Sequence, residues 1–133
     1  MNNVLLMDTS AYAHLRRGHV GVVNLLAAAE RVFLSSVCLG ELEAGFLLGS
    51  RPEENQAALR DFLAEPFVSV IDVTAAVARR YGAIFSQLRR AGTPIPTNDI
   101  WIAACALQAG AQIVTFDSDF ARIADLNPLL MSV

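Results

Sequence analysis

The sequence contains no lysine, and all ten of its basic residues are arginines. Positive charge is scarce overall: ten basic residues face 13 acidic ones, leaving a net charge of −3. A nonspecific nucleic-acid binder draws its affinity from a basic surface, so that class is disfavoured. Without lysine there is no Gly-Lys pair for a phosphate-binding loop, and no lysine to assist a receiver-type phosphoacceptor. Cysteine is limited to Cys38 and Cys105, which form no CxxC pair and cannot build a disulfide framework. They are expected as small buried hydrophobes. No apolar run reaches the roughly 18–20 residues of a membrane span; the longest, Ile100 to Leu107, stops at Gln108. No basic stretch precedes Val4–Met7, and Asp8 interrupts that run too early for a signal peptide, so a cytoplasmic protein is expected.

Hydrophobic residues are abundant instead, at 54% against 17% charged. The 133 residues suit one domain, 1–133, and the apolar excess implies a covered subunit or partner face. Val4–Met7, Arg31–Leu34, Phe67–Ile71 and Gln112–Phe116 are short apolar runs typical of strands buried on both faces, with Leu129–Met131 a weaker fifth. Helices are expected over Val20–Ala29, Val37–Leu48, Pro52–Ala64, Thr74–Ala91 and Asn98–Ala109, with Gly92 and Gly110 as stop signals. Alternating strands and helices imply an α/β fold, a parallel sheet covered on both faces. Sites in such sheets lie at the carboxyl ends of the strands.

Several acids fall at those ends or on inward stripes. Asp8 and Asp117 each follow an apolar strand, and Asp119 lies two residues further on. Capping and Asx-turn chemistry would explain such acids without any function. Glu41 shares a helical stripe with Val37, Gly45 and Leu48, whereas Glu43 lies about 200° round and faces water. Asp99 opens a helix whose inward stripe continues through Ile102, Ala103 and Ala106; the helix dipole alone would favour an acid there. If the four segments converge, their acids cannot all stay ionised without a cation. Oxygen-only donors point to Mg²⁺ or Mn²⁺ rather than zinc. His14 and His19 have no partner pair and read as surface or helix-end residues. The doublets Arg16-Arg17, Arg79-Arg80 and Arg89-Arg90 are either phosphate contacts or solvated helix faces.

Four segments together resemble the successive signatures of PIN-domain proteins, closest to the VapC toxins of bacterial toxin–antitoxin pairs. They are Asp8-Thr9-Ser10, Glu41-Leu42-Glu43-Ala44-Gly45, Asn98-Asp99-Ile100-Trp101-Ile102-Ala103-Ala104 and Thr115-Phe116-Asp117-Ser118-Asp119-Phe120. The resemblance implies a three-layer α/β/α sandwich with a mainly parallel, five-stranded sheet, and a homodimer. It implies a Mg²⁺-dependent endoribonuclease acting on structured RNA, tRNA or ribosomal RNA, and neutralised by a cognate antitoxin. By position, Asp8, Glu41, Asp99 and Asp117 are the acidic quartet, with Asp8, Asp99 and Asp117 contacting metal. Thr9, Ser10, Asn98, Thr115 and Asp119 are the supporting residues, and Asp119 is a rival to Asp117 for the fourth acid. Helices Val20–Ala29 and Val37–Leu48 offer a groove for the antitoxin, unless they are ordinary core helices. A haloacid-dehalogenase-type phosphatase needs Asp-x-Asp after the first strand, and Ser10 stands where that second acid belongs. The remaining rival is a non-catalytic PIN fold that binds RNA or protein.

Overall fold

The computed structural model describes residues 3–133. In order these are β1 (Val4–Met7), α1 (Thr9–Arg16), α2 (Val20–Ala28), β2 (Arg31–Ser35), α3 (Ser36–Leu48), α4 (Pro52–Leu63) and β3 (Val68–Ile71). Then follow α5 (Ala75–Ala91), α6 (Thr97–Ala109), β4 (Gln112–Thr115), a 3₁₀ turn (Ser118–Arg122) and β5 (Leu129–Leu130). The sheet runs β3-β2-β1-β4-β5 and every pairing is parallel. Met7 of the central strand stands beside Leu34 on one side and Val114 on the other.

Successive side chains of a strand point to opposite faces, and β1 divides its residues accordingly. Leu5 and Met7 join Val32, Leu34 and Val114 under α1 to α4, around Tyr12, Val22, Cys38 and Leu59. Leu6 and Ile113 pack on the other face beneath α5 and α6, with Val77, Ile84, Leu88 and Ile102. Two cores separated by one sheet make the three-layer α/β/α sandwich. Both cysteines are free and buried, as their scarcity suggested.

The expected elements are present with shifted ends: β4 stops at Thr115 and β5 at Leu130. Helix α1 was not anticipated as an element, although capping by Asp8 pointed to its start. Both predicted glycine stops hold. Gly92 and Gly110 adopt φ values of +70° and +63°, and the next residues, Thr93 and Ala111, donate back to Leu88 O and Ala106 O. Among the described residues no helix is long and apolar enough to cross a membrane.

Candidate active site

From β1 the chain crosses outward through β2 to β3, then returns to the far side of β1 through β4. Connections leave β1 and β4 in opposite directions, which opens a crevice at their carboxyl ends. Asp8 directly follows β1, and Asp117 stands two residues past the end of β4.

Asp8 is 4% exposed and caps α1. Its Oδ1 accepts from Ala11 N at 2.8 Å and Ser10 Oγ at 2.7 Å, and its Oδ2 accepts a short hydrogen bond from Thr115 Oγ1. Thr115 Oγ1 in turn accepts from Asp117 N at 2.9 Å, while Ser10 Oγ accepts from Phe116 N at 3.1 Å. Two hydroxyls therefore stitch the end of β1 to the turn after β4. Burial raises the Asp8 carboxyl above its ordinary range despite these donors, and the nearby Asp117 charge adds to the rise.

Asp117 repeats the arrangement one strand over, its Oδ1 accepting from Asp119 N at 2.9 Å to cap the 3₁₀ turn. Asp99 lies in the first turn of α6, where Pro96 leaves the helix without a side-chain cap. One carboxylate oxygen from each of Asp99, Asp117 and Asp119 lies within 4.8 Å of the others, all three half-buried. Burial lifts the Asp99 carboxyl to about 6, and the charges of Asp117, Glu41, Asp8 and Asp119 push in the same direction. Glu41 approaches from α3. Thr9 Oγ1 donates to its Oε1 at 2.7 Å and Asn98 Nδ2 to its Oε2 at 3.3 Å.

The three carboxylates closest together are thus Asp99, Asp117 and Asp119, so both candidates for the fourth acid stand in the group. Asp8 lies outside that trio, joined to it through Thr115, and Glu41 joins through Thr9 and Asn98. Oxygen donors alone fit a hard dication and not a thiol-seeking metal. Asp8 Oδ2 accepts one bond and keeps a lone pair for a further partner. Of the five acids only Asp119 is ion-paired among the described residues, to Arg122 Nη1 at 3.4 Å. Sequence reasoning passed over Arg122, because it belongs to no doublet; its i,i+3 spacing from Asp119 was the available signal. The arginines of the three doublets are all exposed. His14 and His19 do stand at helix ends, both half-buried, with the His14 ring stacked on Phe116 at 3.8 Å.

Residues 5–126 match the model of the PIN domain. Ribonuclease VapC4 of Mycobacterium tuberculosis is 36% identical over 94 residues, covering 71% of this chain and 72% of the relative. Ribonuclease VapC2 of Rickettsia felis is 33% identical over 128 residues, 92% of this chain and 94% of the relative. Among solved structures, a chain of the DNA-bound VapBC of Salmonella typhimurium superposes with a TM-score of 0.84 at 27% identity, covering 96% of this chain and 97% of that one. A strand-end acid cluster on this topology, matched over nearly all its length, places the chain in the PIN-domain family among the VapC-like ribonuclease toxins.

Proposed function

We propose that residues 1–133 form one catalytic domain, a Mg²⁺-dependent endoribonuclease that cuts structured RNA, tRNA or ribosomal RNA, with Mn²⁺ able to replace Mg²⁺. The observation that carries this reading is the crowding of Asp99, Asp117 and Asp119 within 4.8 Å, with Asp8 and Glu41 charges close enough to raise Asp99. Like charges so placed call for a cation. The names of the relatives, ribonucleases both, support the same chemistry.

Asp8, Asp99 and Asp117 are the residues proposed to hold the ion, with Asp119 as a further donor beside them. The ion would supply Lewis acidity toward a phosphate oxygen and a water. Asp8 keeps its place because three donors saturate most of its lone pairs, and Thr115 holds the Asp117 backbone in register with it. Glu41, steadied by Thr9 and Asn98, is assigned to orienting the attacking water and accepting its proton.

Purified protein should cleave RNA with Mg²⁺ and stop with EDTA. Asp8→Ala and Asp99→Asn should lose at least about a hundredfold in rate while keeping their circular dichroism. Full activity in both variants would overturn the assignment, and RNA binding without cleavage by the wild type would favour the non-catalytic rival.

A homodimer and a cognate antitoxin belong to the same proposal. A VapBC complex among the solved relatives supports the antitoxin. The surface proposed for it lies on α2 and α3, which leave Val20, Leu47 and Leu48 exposed at 71%, 69% and 89%. Apolar side chains so exposed are the support for placing a partner there.

A further inference from the structure

An acid cluster that must receive a polyanion has an electrostatic difficulty, since each carboxylate repels the backbone phosphates. A bound dication would offset part of this at one phosphate, and the net charge of −3 leaves little general attraction for the rest. Among the described residues one guanidinium is ion-paired into the acid group, that of Arg122.

We infer that Arg122 is a phosphate contact for the RNA strand at the rim of the acid site, an inference that rests on the nuclease reading above. Its Nη1 stands 3.4 Å from Asp119 Oδ1 and donates to Pro94 O at 3.3 Å. Pro94 belongs to the loop that leads into α6 and Asp99, so the guanidinium spans the two segments that bring the trio together. Its backbone is seated as well. Gln87 Nε2 of α5 donates to Arg122 O at 3.5 Å, and Gln87 Oε1 accepts from Ala124 N at 3.4 Å.

Both side-chain contacts use the same nitrogen. Nη2 and Nε have no acceptor among the described residues, and the side chain is 49% exposed. A guanidinium held on one edge with its other edge open suits a phosphate, because a planar fork can take two oxygens at once. Being held beforehand, it loses less freedom on binding than a loose surface arginine. Arg51 makes the contrast: its one ion pair joins it to Glu54 at 3.8 Å on the first turn of α4, with both side chains more than 70% exposed.

RNA affinity can be separated from cleavage by measuring anisotropy of a fluorescent RNA in Mg²⁺ with Asp99→Asn as the parent. Adding Arg122→Ala should weaken binding about tenfold and lower the slope of log affinity against log salt by about one. Arg122→Lys should keep the slope and recover part of the affinity, whereas Arg51→Ala should change neither. Unchanged affinity and slope in Arg122→Ala would overturn the inference. So would slower cleavage by Arg122→Ala in the otherwise wild-type chain with RNA affinity intact, since Arg122 would then only brace Asp119. If wild-type protein neither cleaved nor bound RNA, the nuclease reading itself would fall and take this inference with it.

Discussion

At the scale of single residues, two of the clustered acids have a local task of their own. Asp8 is the N-cap of α1 and Asp117 the cap of the 3₁₀ turn, so the capping explanation holds for both and is compatible with the site role proposed for them. Capping fixes the carboxylates where mutual repulsion would otherwise scatter them. The cost shows at Asp99, whose carboxyl is raised from 3.8 to about 6. Between those values the folded chain holds more protons there than the unfolded chain does. The stability associated with this group is therefore complete below 3.8 and lost as pH rises through about 6. Asp99→Asn, neutral at every pH, should melt above the wild type at pH 7 in EDTA and alongside it near the acid end of that window. Equal melting temperatures at pH 7 would show that the site imposes no such repulsion. Arg122 was only half legible at this scale: Asp119 stands three residues before it, but Pro94, its other partner, is brought to it by the fold.

Among the elements, α6 ties the site to the core. Ile100 and the run Ile102–Ala106 are buried, so the helix that carries Asp99 is held on nearly every side. Its run of small residues lets α6 pack closely against α5 and the sheet. Ala104→Leu, at a fully buried position, should cost about 1–3 kcal/mol by overpacking. Activity should fall with it, because α6 must shift and Asp99 moves with the helix. Chemical denaturation read beside RNA cleavage tests this, and a variant with both unchanged would show slack that the packing does not suggest. Helix α3 shows where periodicity is a poor guide. Leu39, Leu42, Phe46, Leu47 and Leu48 leave it apolar on several sides, so the Glu41 stripe was read as inward although Gly45 and Leu48 are exposed. Helix α1 is short, with Ala11 and Tyr12 its buried residues, too little apolar pattern to announce a helix.

For the whole molecule, the exposed apolar residues carry the clearest expectation. Leu48 is 89% exposed, so Leu48→Ala should leave the unfolding free energy of the free protein unchanged, within about 0.5 kcal/mol. The same change should weaken capture by the cognate antitoxin, measured by calorimetry with the purified partner. An unaltered affinity would move the antitoxin surface elsewhere. Local sequence sufficed for the strands, whose short apolar runs have few other uses, and for the helix stops at Gly92 and Gly110, where a left-handed backbone favours glycine. It also nominated the acids, because an ionised group directly after a buried strand is conspicuous. Tertiary structure alone decided that β4 lies beside β1, which brings Asp117 across to Asp8, that Asp119 joins Asp99 in the trio, and that Pro94 meets Arg122. Those relations join residues far apart in the chain. Strand order, set by how two cores share one sheet, creates them, and no local pattern encodes it.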